Sequence, residues 1–178
     1  VLLFPLGRVW HWGLPQLRSE QRMQRGCTFV LPGIEGRSFL NIDIAKGLAD
    51  GGVETAIEIF DWTTGLLPLF LRHLRGTQRN RRQAERLAQQ IVDYQNRYPQ
   101  RPVNIVGHSG GAGLALLTLA ALPADRTVSS VVLLAAAVSP QYPVHAALAR
   151  TDHGIWNVTS VLDVLFLGLG TLLCGTFD

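Results

Sequence analysis

The chain has 178 residues, 47% hydrophobic and 16% charged, which is enough apolar material to bury one sizeable core and makes one domain the default. Two cysteines, Cys27 and Cys174, exclude a disulfide framework and a C-x-x-C metal site, and both read as small core residues. The net charge of +3 names no partner by itself, and no apolar run reaches the roughly 18 residues that a membrane-spanning helix needs.

Residues 1–26 read as an irregular N-terminal arm, in which Trp10, Trp12, Pro15 and several charges follow no clear period. Residues 1–6 are too few to identify the tail of a removed signal or anchor, so the compartment, cytoplasmic or exported, stays open. The run 27–31, Cys-Thr-Phe-Val-Leu, predicts a strand buried on both faces and ended by Pro32-Gly33. Phe39, Leu40, Ile44, Ala45 and Leu48 recur at helical spacing, with Ser38 as N-cap and Gly51-Gly52 closing the end. Residues 53–60 alternate as a second strand, and Asp61 reads as a turn former at its end.

Residues 65–78 are apolar where a surface connection is normally polar. They make a candidate lid or cap segment, with plain core packing the equal alternative. Arg72, Arg75, Arg79, Arg81 and Arg82 lie within eleven positions but carry no interleaved aromatics, so they read as a solvated loop and helix face with no nucleic-acid partner. Contact with a membrane surface is left open. From 80 to 98, Ala84, Leu87, Ala88, Ile91 and Val92 form one apolar stripe on a charged helix, stopped by Pro99 and Pro102.

Residues 103–113 begin as a β-rich run, turn through glycines at Ser109 and pass into a helix over 110–122. That helix is apolar almost all round and therefore must be buried. Residues 128–138 predict the next strand, 146–149 a short helix and 155–160 a further strand that leads to Asp163. Alternation of strand and helix along the chain indicates an α/β fold: a mostly parallel sheet with helices on both faces.

Gly107-His108-Ser109-Gly110-Gly111, at a strand-to-helix turn, fits the G-x-S-x-G pattern. A dinucleotide-binding turn is the competing reading, but it wants G-x-G-x-x-G and an acid ending the next strand, where this chain has Ser139-Pro140. In this segment the sequence resembles the α/β-hydrolase superfamily, in its serine esterase and lipase-like branch. The resemblance implies Ser109 as nucleophile, Asp163 as the acid of a triad, and oxyanion donors at the backbone N–H groups of Gly110 and Ile34. An ordinary turn is the bland reading of the segment around Ile34, and a helix-capping carboxylate that of Asp163.

The histidine departs from the family order, in which it follows the acid. The five histidines are His11, His73, His108, His145 and His153, and none follows Asp163. Adjacent strand residues face opposite ways, so His108 is a poor base for Ser109. The chain is also short for the family, so the expectation is a C-terminally incomplete piece, itself poorly active, with the base beyond residue 178. No cofactor or metal is implied. The implied substrate is a small-molecule or lipid ester; an acyltransferase on the same scaffold and a non-catalytic binding protein remain as alternatives, and the oligomeric state is unknown. If 65–78 is a lid, deleting 66–71 from the intact protein flattens the preference for longer acyl chains, measured across a series of p-nitrophenyl esters.

Overall fold

The computed structural model describes residues 14–64 and 76–160. A 3₁₀ turn at Pro15–Arg18 and a one-turn helix, α1 (Glu20–Met23), precede the first strand, β1 (Cys27–Leu31). There follow α2 (Phe39–Asp50), β2 (Ala56–Ile59), α3 (Thr77–Arg97), β3 (Val103–His108) and α4 (Gly110–Ala121). The chain continues through β4 (Ser130–Leu134), α5 (His145–Leu148) and β5 (Ile155–Val158). All neighbouring strands pair in parallel, in the order β2-β1-β3-β4-β5.

Period-two alternation decides what each face buries. Phe29, Leu31, Ile105, Val131 and Leu133 point to one side, where they pack with Leu87 and Ile91 of α3 and Leu114, Leu116 and Leu119 of α4. Val30, Ile57 and Val106 point to the other side, under Ile42 and Ala45 of α2. Both faces are covered, as the expected fold class requires. The thiol of Cys27 lies in the first cluster, and its pKa is pushed up to about 12, first by burial and then by the nearby Glu58. Within α4 the hydroxyl of buried Thr118 is satisfied by donating to the Leu114 carbonyl at 2.8 Å.

Three stretches differ from the sequence-based expectation for physical reasons. Residues 14–26 hold two short helical turns because Leu14 and Leu17, one 3₁₀ repeat apart, both bury against Val30 and Ile57. The second strand is limited to Ala56–Ile59, since the Arg22 guanidinium takes the carbonyls of Val53 and Thr55 at 2.9 Å each. The strand expected over 128–138 stops at Leu134, where Ala135 adopts φ 47°.

Where α4 leaves the sheet, two glycines leave no room for a side chain. A Cβ on Gly107 would lie 2.7 Å from the Gly111 carbonyl oxygen and 2.8 Å from the Ala112 Cα. A Cβ on Gly111 would collide with the carbonyl of Leu31 and lie 2.5 Å from that of Pro32. In contrast, nothing lies within 4 Å of a Cβ on Gly47, in the middle of α2. Gly107→Ala is therefore expected to cost about 1–3 kcal/mol by overpacking. Gly47→Ala is expected to add about 0.5–1 kcal/mol through helix propensity. Urea unfolding midpoints at unchanged m-value measure both.

Candidate active site

Ser109 stands between the last residue of β3 and the first of α4, with φ 52° and ψ −118°. This is a sparsely populated conformation for a residue with a side chain, so the surroundings must hold it. The Ser109 N–H donates to the Leu134 carbonyl at 2.9 Å, and the Ser109 carbonyl accepts from Ala112 N–H at 3.0 Å and Ala137 N–H at 3.3 Å. The turn is thus tied to the end of β4 and to the loop beyond it. Ser109 is half-buried at the carboxyl end of the sheet, and the Gly110 amide is the first of α4, where an N–H has no partner within its own helix.

β1 lies beside β3, with Leu31 paired to Gly107, so residues 32–36 run alongside the Ser109 turn. The expected donor Ile34 is found there: a Cβ on Gly110 would lie 3.1 Å from Ile34 Cγ2 and 3.7 Å from its backbone nitrogen. Trp62 was not anticipated from sequence. Its ring is fully buried, its indole N–H donates to the Pro32 carbonyl at 2.7 Å, and it also packs near Gly110. Asp61 forms the turn read for it, Oδ1 accepting from Thr63 N–H at 3.0 Å and from Thr63 Oγ1 at 2.7 Å. Of the clustered arginines, Arg81 and Arg82 are exposed on α3, whereas the Arg79 guanidinium donates to the Trp62 carbonyl.

Glu35 and Asn41 were also missed. The Glu35 Oε1 accepts from Gly33 N–H at 3.1 Å and from the Asn41 side-chain amide at 3.2 Å, and His108 Nδ1 faces it at 3.6 Å. Burial pushes the Glu35 pKa upward, but the facing His108 imidazole, the local backbone and Asn41 outweigh it and hold the carboxyl below its usual range. Asn41, itself fully buried, donates onward to the Gly36 carbonyl at 3.0 Å and to Ser38 Oγ at 2.8 Å. The one signal in the sequence was an acidic residue inside a Pro-Gly-Ile-Glu-Gly loop of otherwise apolar and glycine character.

Of the described histidines, His108 adjoins Ser109 in the chain but faces Glu35 at 3.6 Å. The His153 N–H donates to the Ser129 carbonyl, at the amino end of β4, whereas Ser109 is bonded to Leu134 at its carboxyl end. Five residues of strand, about 16 Å, separate those two points. His145 is exposed in α5. Asp163, His11, His73 and positions 65–75 of the expected lid lie outside the described residues, and Thr77 and Gln78 belong to α3. A cavity of about 510 Å³ between α4, β4 and α5, lined by Leu116, Leu133, Tyr142 and Ile155, does not include Ser109. Among the described residues no group of three His, Cys, Asp or Glu side chains is placed to hold a metal ion.

No family model and no curated protein sequence matches the chain. Among solved structures it is similar to a Trichoderma reesei cutinase in complex with a C11Y4 phosphonate inhibitor, at 15% identity and a TM-score of 0.57. The match covers 98% of this chain and 85% of the cutinase chain. Strand order, parallel register and this likeness agree on one architecture: the chain has the α/β-hydrolase fold.

Proposed function

We propose that the protein is a serine hydrolase of the esterase or lipase-like kind, cleaving a carboxylic ester through an acyl-enzyme on Ser109. The observation that carries this reading is the conformation of Ser109: a half-buried serine held at positive φ on the tip of a strand-to-helix turn, with the Ile34 backbone nitrogen beside the same turn. Strain of this kind persists only where neighbouring structure enforces it, and it supports reading the turn as a nucleophile elbow.

In this reading the Ser109 hydroxyl attacks the ester carbonyl while a histidine takes its proton. The alcohol leaves with a proton returned by that histidine, and water then releases the acid from Ser109 by the same two steps. Gly110 and Ile34 N–H groups meet the developing oxyanion, the former aided by the positive end of α4. Asp163 orients the histidine. Neither His108, which faces Glu35, nor His153, at the far end of the sheet, serves as the base in this scheme.

A fluorophosphonate probe tests the central claim. In the intact protein it is expected to attach to Ser109, as read by peptide mass, and to leave the Ser109→Ala variant unmodified. An intact, folded protein whose Ser109 stays unmodified would sink the hydrolase reading and favour a non-catalytic binding role. Residues 1–178 by themselves are expected to hydrolyse p-nitrophenyl esters several orders of magnitude more slowly than an enzyme with a complete triad. Brisk, Ser109-dependent turnover by that piece would mean that a histidine within residues 1–178 serves as the base.

A further inference from the structure

We propose that Glu35 is a positioning residue for the oxyanion donor, aiming the Ile34 N–H by clamping the backbone just before it. The inference rests on the hydrolase reading and assigns a further residue to the same site.

Two consecutive peptide planes lead to the Ile34 N–H. The first, Pro32–Gly33, is held at both ends: its carbonyl accepts the indole N–H of Trp62 at 2.7 Å, and its N–H donates to Glu35 Oε1 at 3.1 Å. The second, Gly33–Ile34, is held at its carbonyl, which accepts Gly36 N–H at 3.1 Å. In a trans peptide the N–H and C=O point in opposite directions, so fixing the Gly33 carbonyl fixes the heading of the Ile34 N–H. Between the two planes lies only the Cα of a glycine, the residue with the least intrinsic resistance to rotation. Without the bond from Gly33 N–H to Glu35, one of the three restraints on that pivot is gone.

Glu35 is itself secured on two further sides. The Asn41 amide of α2 donates to the same Oε1 at 3.2 Å, and His108, the residue before Ser109, faces it at 3.6 Å. The carboxylate therefore connects three pieces of chain: the 32–36 loop, the first turn of α2 and the end of β3. Because its pKa is held low, it is ionised at neutral pH and can only accept hydrogen bonds, which is what Gly33 and Asn41 require of it.

The test uses the intact protein and three forms: wild type, Glu35→Ala and Glu35→Gln. Kinetic constants are measured on a p-nitrophenyl ester and normalised to the serines that a fluorophosphonate finally labels, so that only folded, competent molecules count. Loss of an oxyanion donor costs about 100–1,000-fold in kcat, and a misaimed one less, so Glu35→Ala is expected to lower kcat about 10–100-fold with KM nearly unchanged. Glu35→Gln keeps an oxygen that accepts from Gly33 and is expected to recover most of that loss. A residue that merely stabilised the fold would lower the melting temperature without altering kcat per labelled serine. An Ala variant within twofold of wild type in kcat, or a Gln variant no better than Ala, overturns the proposal while leaving the hydrolase reading intact. A wild-type protein that resists labelling removes both together.

Discussion

The structure depends on two backbones touching with no side chain between them. Where α4 rises from the sheet, Gly107 on β3 lies against the Gly111 carbonyl and Ala112, and Gly111 lies against the carbonyls of Leu31 and Pro32. That contact brings a helix start, a strand end and the 32–36 loop into one small volume. The sharp bend at Ser109, its positive φ and the proximity of Ile34 follow from it. Any pair of residues larger than glycine at these positions would push α4 outward and separate the two amides that the proposed chemistry needs close together.

The stabilising polar contacts around this region are mostly made to the backbone. The Trp62 indole, Glu35 and the Asn41 amide each bond to main-chain groups of the 32–36 loop, and the Ser109 main chain is bonded to Leu134 and Ala137. A loop made of proline, glycine and few bulky side chains has little packing of its own. Its conformation is held by the buried Trp62 and Asn41 side chains from outside and by Glu35 from within. This explains how a short segment between β1 and α2 can keep a fixed shape next to a strained serine.

Strong periodic signals made most of the fold legible in the sequence. The strand over 27–31, the buried helix from Gly110 and the apolar stripe of α3 all came from long or unambiguous patterns. Ends were less legible: β2 is shortened by Arg22 reaching across from α1, and no pattern within 53–60 could signal a side chain more than thirty residues away. At the site, Ser109 stood out because a local motif, Gly107-x-Ser109-x-Gly111, announces a turn, and Ile34 followed only from the family resemblance that this motif carries. Trp62, Glu35 and Asn41 did not, because their roles exist only once β1 and β2 are paired and α2 is folded back on them. Tertiary contacts of this sort leave no period and no spacing to read.

A sheet whose strands all run the same way divides its connecting segments into two populations. The segments leaving carboxyl ends, at 32–36, 61–64, 109 and 135–143, gather around Ser109, while those entering amino ends, such as Gln100 to Pro102 and His153, collect on the opposite rim. On the hydrolase reading, changes in the first population alter what surrounds Ser109, whereas changes in the second lie on the rim away from it.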